Sequence, residues 1–373
     1  MESEGRREPP KPPVKIVVAG ASGLIGKRHL QHVVEEPEAE LVAIIDPDVV
    51  GSELASQHHC PCFRVVPDFL ASLEAGEISA DAVILATPNH THAPLATQFV
   101  VAGLAVLVEK PFTATGAEGR ALLKARSEAP LGKAVIMVGH HRRHNPYTIA
   151  VKKAIDEGRL GRIVAINGVW AMRKPPEYFA VDWRRQLGSG GVVLNNAIHE
   201  IDILQYLLGD IVEVYAVEGV KERTHPVDET VLTTMKFASG AVGSFLFSDT
   251  ATSPHAWEAA TGENPHIPAA GETCLTIFGT KGSVGIPALT RFHQDDRTSQ
   301  EQNWSFPLSR DDTLKEQIDD TPPLSRQLRQ LIAAVRGEAE PNCPAEDGLR
   351  AVMVVEAILK SLARREPVIV EQV

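Results

Sequence analysis

A glycine-rich turn near the start of the chain is the first feature that could do chemistry. It runs from Gly20 to Gly26, after an apolar run at 15–19 and before a helical pattern. Glycine lets a backbone approach a pyrophosphate closely, and a helix N-terminus offers free N–H groups and a positive dipole end. We therefore predict a dinucleotide site. Its predicted contacts are Gly20, Ser22, Gly23, Leu24 and Ile25. The alternative is an ordinary strand–helix turn, because Ala21 stands where the commoner GxGxxG pattern has its first glycine.

An acidic residue follows at the distance that such a site requires. Asp46 ends the second apolar run, 20 residues beyond Gly26. A carboxylate there accepts hydrogen bonds from ribose hydroxyls and repels a 2′-phosphate. Residues 47–52 contain no Arg or Lys that would receive that phosphate. We therefore expect NAD rather than NADP as the cofactor, with NADP as the alternative for the cofactor and helix capping as the alternative role of Asp46.

The first part of the chain alternates short apolar runs with helical patterns. Continuous apolar strands that alternate with helices are typical of a parallel sheet covered on both faces. The predicted strands lie within 15–19, 41–46, 81–88, 104–111 and 134–140.

The pattern changes near residue 145, where longer β-rich segments begin. Pairs of them are separated by Ser-Gly at 239–240 and Lys-Gly at 281–282, which indicates hairpins. We predict an α/β chain: an N-terminal Rossmann domain with a parallel sheet, and a C-terminal α+β domain with an open, mostly antiparallel sheet crossed by a helix at 195–209. Residues 251–272 and 291–325 are Pro-rich and polar and are expected to be irregular loops.

Domain boundaries follow from this change of pattern. We expect a disordered leader at 1–13, an NAD-binding Rossmann domain at 14–140 and a substrate domain at 141–373. The last helix, at about 345–363, is a candidate to pack back on the Rossmann domain.

Composition excludes several functional classes. The 373 residues carry a net charge of −11, which repels nucleic acid, and contain no apolar run of membrane-spanning length. Four cysteines are too few for a disulfide framework and suit a reducing, cytoplasmic location. The His58–Cys62 segment lacks a second ligand pair at zinc spacing, so no metal site is predicted. No GxSxG nucleophile motif occurs.

Two further segments carry a family resemblance. Residues 87–115 read TPNHTHAPLATQFVVAGLAVLVEKPFTAT, and residues 183–210 read WRRQLGSGGVVLNNAIHEIDILQYLLGD. Together with the glycine turn, in this order, they resemble the Gfo/Idh/MocA oxidoreductase family from about residue 14 onward. The resemblance implies a Rossmann domain, an α/β domain with an open antiparallel sheet, and a site at the carboxyl ends of the Rossmann strands.

The resemblance also assigns roles in the first segment. Lys110, of Glu109-Lys110-Pro111, matches the catalytic lysine, and both Glu109 and Lys110 count among the expected cofactor contacts. Thr87, Pro88 and Asn89 match a loop beside the nicotinamide, and His92 matches a helix start there.

In the second segment His199 matches the family histidine. Four residues earlier the family often has aspartate, whereas this chain has Asn195. Asparagine can hydrogen-bond a substrate hydroxyl but cannot raise the basicity of an imidazole, so more of the proton transfer is left to Lys110. Arg143, Trp183 and Arg184 match positions that face the substrate in the family; salt bridges and packing are the alternative.

These features predict an NAD(P)-dependent dehydrogenase that acts on a hydroxyl of a sugar, polyol or related cyclic alcohol. One alternative is a reductase of a non-sugar carbonyl or an unsaturated ring. Another is a non-catalytic NAD(P)-binding regulator, against which the presence of Lys110 and His199 argues. An open sheet with an apolar outer face indicates a homodimer or homotetramer.

Overall fold

The computed structural model describes residues 11–129 and 134–373. Within them the chain forms two compact units. The first contains the described residues up to Gly139 together with Leu324–Ala345, and the second contains His140–Pro323 together with Glu346–Val373. Of the predicted leader at 1–13, residues 1–10 lie outside the described residues.

Six parallel strands form the sheet of the first unit. They are β1 (Val14–Ala19), β2 (Ala39–Ile45), β3 (Cys62–Phe63), β4 (Ala82–Leu85), β5 (Ala105–Val108) and β6 (Ile136–Val138). Their order is β3-β2-β1-β4-β5-β6, so the direction of winding reverses between β1 and β4. Every residue of β4 and β5 is buried, which explains their continuous apolar runs. The predicted parallel Rossmann sheet is confirmed, and its switch point between β1 and β4 is where such sheets bind ligands.

Helices cover this sheet. They are α1 (Leu24–Glu35), α2 (Val49–Gln57), α3 (Val66–Glu74), α4 (His92–Val101), α5 (Gly116–Glu128) and, from much later in the chain, α9 (Pro323–Val335). Helix α9 buries Leu328, Leu331 and Ile332 in the same core as Ile16 and Val18 of β1. Helix α5 begins with a capping box in which Thr115 and Glu118 satisfy each other's backbone N–H groups.

Nine strands form the sheet of the second unit. They are β7 (Ile163–Ala171), β8 (Ile211–Glu218), β9 (Thr230–Phe237), β10 (Val242–Ser248), β11 (Leu275–Gly279), β12 (Gly282–Ile286), β13 (Arg291–His293), β14 (Ser309–Asp311) and β15 (Val368–Ile369). Their order is β14-β13-β12-β11-β7-β10-β9-β8-β15. Only β7 and β10 pair in parallel, and the predicted hairpins are β9–β10 and β11–β12. The predicted mostly antiparallel sheet is confirmed.

The second unit also contains helices α6 (Pro146–Asp156), α7 (Ile198–Leu208), α8 (Trp257–Thr261) and α10 (Ala345–Arg364). A π-helix at Val193–Ala197 leads directly into α7. Its start is held by Asp228, which accepts hydrogen bonds from Val192 N and Val193 N at 3.1 and 2.8 Å. Short π-helical segments occur often at functional sites, and this one carries Asn195.

The expected loop at 291–325 contains more structure than its composition indicates. It includes β13, β14, a 3₁₀ turn at Thr313–Gln317 and the first residues of α9. Helix α9 counts with the first unit, whereas the last helix, α10, belongs to the second except for its first residue. Among the described residues, none of the helices has both the length and the apolar composition needed to cross a bilayer.

Candidate active site

Close backbone contacts surround the glycine turn between β1 and α1. Gly20 has φ +83°, and a Cβ built on it would lie 2.6 Å from the carbonyl oxygen of Ala86. A Cβ on Gly26 would lie 2.0 Å from the oxygen of Gly20, so neither position accepts a larger residue. At Gly23 the nearest atom would be 3.4 Å away, and φ is −69°. The fold itself therefore tolerates a side chain at Gly23, and the space left there suits a closely approaching pyrophosphate.

The same turn presents the start of α1. The helix begins at Gly23, which has no side chain to cap it, and Leu24 is 86% exposed. Ser22 and Ile25 are half-buried. An uncapped helix start offers N–H groups and a positive dipole end, so these residues fit a bound phosphate.

Asp46 lies immediately after β2 and points its carboxylate toward the glycine turn. It accepts hydrogen bonds from Ser22 N at 2.8 Å and from Asp48 N at 2.9 Å, and the residue is 2% exposed. Helix α2 is capped by Asp48, which accepts from Val50 N. Each carboxylate oxygen of Asp46 keeps a lone pair for a further donor, as a ribose hydroxyl would provide.

His92 joins two of the predicted cofactor loops. Its Nε2 lies 2.9 Å from the oxygen of Thr87, and its Nδ1 lies 2.7 Å from the oxygen of Pro111. The ring is fully buried, and burial lowers the pKa of His92. The histidine thus ties the loop after β4, with exposed Pro88 and Asn89, to the segment after β5.

Lys110 lies two residues after the end of β5 and is half-buried. The preceding Glu109 is buried, lies 2.7 Å from Nε2 of His29 on α1, and accepts a hydrogen bond from Lys110 N at 3.1 Å. A Cβ on Gly139 would lie 2.8 Å from the Glu109 carboxylate, so that position leaves space only for glycine. Glu109 therefore connects α1 with the backbone that carries Lys110.

In the second unit Asn195 lies within the π-helix and is half-buried. Among the described residues its amide has no hydrogen-bond partner, so it is available to a ligand. The adjacent Asn196 accepts a hydrogen bond from Lys174 Nζ at 2.6 Å.

His199 lies in the first turn of α7, 9% exposed, and two histidine rings pack against it. His141 and His140 contact it edge to face, with ring centroids 5.6 and 6.4 Å away. His141 Nε2 lies 3.1 Å from Glu263 Oε1, and Glu263 also accepts from Trp257 Nε1 at 2.9 Å.

Beside this group Arg142 binds three carboxylates in the interior of the second unit. Its nitrogens lie 2.5 Å from Glu200, 2.6 Å from Glu258 and 3.5 Å from Glu263. Burial raises the pKa of Glu200 to about 7, although Arg142 opposes the shift. Burial would also raise the pKa of Glu263, but His141 and Arg142 hold it well below its usual range. Glu263 is therefore ionised at neutral pH.

The three residues predicted to face substrate differ in their surroundings. Arg143 is 2% exposed and forms ion pairs with Asp202 at 2.7 Å and Asp347 at 2.6 Å, which favours a packing role. Trp183 is 43% exposed, and the Arg184 guanidinium lies 5.3 Å from its ring centre. Trp183 thus presents an accessible aromatic surface, whereas Arg184 is half-buried and donates a hydrogen bond to the oxygen of Tyr178 at 3.0 Å.

Several residues at these sites were not singled out by sequence reasoning. His29, Glu200 and Glu263 all contact a predicted residue or its neighbour. Their partners lie far away in the chain, with 80 positions between His29 and Glu109 and 122 between His141 and Glu263. No local spacing marks such pairs. Over residues 11–129 and 134–373, no group of three or more His, Cys, Asp or Glu side chains is arranged to hold a metal.

Comparison with known proteins identifies both parts of the chain. Residues 14–140 match the model described as "Oxidoreductase family, NAD-binding Rossmann fold", and residues 152–370 match "Oxidoreductase family, C-terminal alpha/beta domain". Both descriptions carry the Gfo/Idh/MocA name.

Individual relatives and a solved structure support the same family. Inositol 2-dehydrogenase of Rhizobium meliloti is 28% identical over 95% of this chain and 98% of its own. Levoglucosan dehydrogenase of Pseudarthrobacter phenanthrenivorans is 30% identical over 54% of each chain. The WlbA dehydrogenase of Chromobacterium violaceum, solved with NADH and UDP-GlcNAcA, shares the fold with a TM-score of 0.78 at 24% identity over 97% of each chain. The first domain is thus an NAD-binding Rossmann domain, and the chain belongs to the Gfo/Idh/MocA family of oxidoreductases.

Proposed function

We propose that this oxidoreductase is an NAD-dependent dehydrogenase that oxidises a secondary hydroxyl of a sugar, polyol or related cyclic alcohol. The first unit binds the dinucleotide, and the second supplies the residues that bind the substrate. The observation that carries the proposal is the position of Lys110, two residues after a buried strand of the Rossmann sheet, with Glu109 anchoring its backbone. The substrate class rests on relatives named for inositol and levoglucosan.

Lys110 is the acid–base residue of the proposed reaction. When bound, the nicotinamide accepts the hydride that leaves the alcohol carbon. The hydroxyl proton passes to the Lys110 amine as the C–O bond becomes a carbonyl. In the reverse direction the protonated amine polarises the carbonyl and returns the proton. His199 shares this proton, and Asn195 orients the hydroxyl.

A panel assay tests the proposed substrate class. Polyols and cyclic sugars are supplied with NAD, and the corresponding ketones with NADH, while the absorbance of reduced nicotinamide is followed. Turnover of at least one polyol or sugar is expected. Turnover confined to non-sugar carbonyls or unsaturated rings would favour a reductase, and cofactor binding without any turnover would favour a regulator.

The preference for NAD is a separate proposal that rests on Asp46. Its buried carboxylate would accept hydrogen bonds from the ribose hydroxyls of NAD and would repel the 2′-phosphate of NADP. We expect Asp46→Asn to raise the KM for NAD about tenfold, since hydrogen bonds to charged groups contribute about 1.5–3 kcal/mol. The matched variant Asp48→Asn changes a carboxylate that caps α2 and should leave that KM near wild type. A wild-type enzyme with a lower KM for NADP than for NAD would contradict the assignment.

We further propose that the protein forms a homodimer or homotetramer through the outer face of the second unit's sheet. Apolar side chains remain exposed on that face. They include Tyr215, Val217, Leu232 and Val242. Sedimentation should give a dimer or tetramer mass, and Leu232→Asp should shift it toward the monomer. A wild-type monomer at micromolar concentration would refute the proposal.

A reducing, cytoplasmic location is also proposed. All four cysteines are described by the structure and all are free thiols. Cytosolic conditions keep such thiols reduced.

A further inference from the structure

We infer that His29, on α1, is a positioning residue for Lys110 and acts through the Glu109 carboxylate. Two hydrogen bonds form the connection. One joins the imidazole of His29 to Glu109, and the other joins Glu109 to the backbone of Lys110. The inference rests on the proposed function, in which the Lys110 amine takes up the substrate proton.

The contact between His29 and Glu109 is buried. Nε2 of His29 lies 2.7 Å from Oε1 of Glu109, and the two residues are 2% and 4% exposed. An ionised carboxylate only accepts hydrogen bonds, so the imidazole N–H is the donor. Hydrogen bonds to an ionised acceptor are short and strong, and a water-poor interior strengthens them further. The imidazole therefore fixes Oε1 of Glu109 relative to α1.

The second oxygen of the same carboxylate contacts the catalytic lysine. Oε2 of Glu109 accepts a hydrogen bond from the backbone N–H of Lys110 at 3.1 Å. Gly139, just after β6, lies against the carboxylate, because a Cβ there would be 2.8 Å from Oε1 and 2.9 Å from Cδ of Glu109. The carboxylate is thus enclosed by α1, by the Lys110 backbone and by the segment after β6, and it has little space to rearrange.

The residue that follows Lys110 is also bound to a buried imidazole. Nδ1 of His92 lies 2.7 Å from the oxygen of Pro111, and its Nε2 lies 2.9 Å from the oxygen of Thr87. His92 is fully buried at the start of α4. The backbone on both sides of Lys110 is therefore held by imidazoles from two different helices.

This fixation matters because proton transfer depends on distance. A general base must lie within about 2.6–3.2 Å of the atom whose proton it takes, and a misplacement of about 1 Å can lower a rate about 10²-fold. A buried carboxylate that loses a hydrogen-bond donor is destabilised and moves or takes up a proton. Either change in Glu109 alters the acceptor that holds the Lys110 backbone, so loss of His29 should lower kcat.

Two substitutions of His29 test the connection. His29→Leu removes the donor, whereas His29→Gln places an amide N–H close to the position of Nε2. With the best substrate of the panel, kcat should fall about 10- to 100-fold in His29→Leu and stay within about threefold of wild type in His29→Gln. NADH affinity should change less than about threefold in both, because His29 is not among the predicted cofactor contacts.

The matched control is His32→Leu. His32 lies one turn further along α1, is half-buried, and has its Nδ1 3.1 Å from Oγ of Ser325. The same substitution there disturbs the packing of α1 but not Glu109, so kcat should stay within about threefold of wild type. An equal loss in both leucine variants, or no loss in His29→Leu, would overturn the inference. If His29→Leu does not fold, His29→Asn takes its place, because its shorter amide does not reach Glu109.

A double-mutant cycle shows whether His29 acts through Lys110. In the Lys110→Met background the amine is absent, so His29→Leu should lower kcat by less than about twofold. A further loss as large as in the wild-type background would show that His29 acts independently of Lys110 and would contradict the positioning role.

Hydrogen exchange separates this inference from the proposed function, because it needs no substrate. The backbone amide of Lys110, followed by NMR of the full-length protein, should exchange at least about tenfold faster in His29→Leu than in wild type. His29→Gln and His32→Leu should exchange at the wild-type rate. Unchanged exchange in His29→Leu would overturn the inference. Faster exchange in a protein that turns over no substrate would support the connection and count against the proposed function alone.

Discussion

Glu200 illustrates how burial and charge compete at a single residue. It follows His199 in α7, and its carboxylate pairs with Arg142 at 2.5 Å inside the second unit. Burial raises the pKa of Glu200 to about 7, and neighbouring Glu258 adds to the shift while Arg142 opposes it. A folded-state pKa above the unfolded value of 4.5 means that the folded protein binds this proton more tightly.

This shift predicts how stability depends on pH. Glu200 contributes fully below pH 4.5, and its contribution falls as the pH rises toward about 7, because the unfolded carboxyl ionises first. Relative to Glu200→Gln, the wild-type free energy of unfolding should fall by about 3 kcal/mol across that range. Urea unfolding of both proteins at about pH 4 and about pH 8 measures the difference.

Glu222→Gln, at an exposed position, is the control and should track wild type. A constant gap between wild type and Glu200→Gln at both pH values would contradict the assigned shift.

At the scale of elements, the turn between β1 and α1 has two kinds of glycine. Gly20 and Gly26 are fixed by the fold, because a Cβ at either would collide with backbone. Gly23 is not, because its nearest neighbour would be 3.4 Å away. The sequence pattern alone makes these glycines look equivalent, and only the packing of α1 on the turn separates their roles.

A matched pair of substitutions exploits this difference. Gly23→Ala should fold with a Tm within a few degrees of wild type and bind NADH about tenfold or more weakly, because the methyl group occupies the space of the pyrophosphate. Gly26→Ala should destabilise the protein by about 3 kcal/mol or more, since backbone must move. Thermal unfolding and fluorescence titration with NADH measure both effects. Equal NADH affinity in Gly23→Ala and wild type would argue against a cofactor at this turn.

Helix α9 is an element that joins the first unit from the far end of the chain. Leu331 on this helix is fully buried in the core that contains Ile16 and Val18. Leu331→Ala should lower the free energy of unfolding by about 2–5 kcal/mol. Arg329 on the same helix has a side chain that is 61% exposed and pairs with Glu36, so Arg329→Ala should cost less than about 1 kcal/mol. Comparable losses from both changes in urea unfolding would show that α9 does not stabilise the core.

At the scale of the whole molecule, the chain does not divide into its two units at a single point. The Rossmann sheet was predictable because buried strands and turn glycines leave local patterns in the first 140 residues. Helix α9 was not predictable in this way. It follows a Pro-rich, polar stretch, and it packs in a core formed by residues about 300 positions earlier in the chain.

The candidate site, too, could be predicted from the sequence only in part. Gly20, Asp46 and Lys110 follow predicted strands, so their placement at one edge of the sheet could be inferred from sequence. The Glu109–His29 and Glu263–His141 pairs could not, since each forms only after distant segments pack. Asn195 was recognised as a departure from the family pattern, but the ring contact between His141 and His199 and the ion pairs of Arg142 became visible only in three dimensions.

The function proposed for the whole molecule depends most on the role of Lys110. Lys110→Met, assayed with the best substrate from the panel, should lower kcat by about 10³-fold, since a positioned acid–base group contributes about 10²–10⁴. NADH affinity, measured by fluorescence titration of the same preparation, should change less than about threefold, because the other predicted cofactor contacts remain. A Lys110→Met enzyme that retains turnover within about tenfold of wild type would contradict the account.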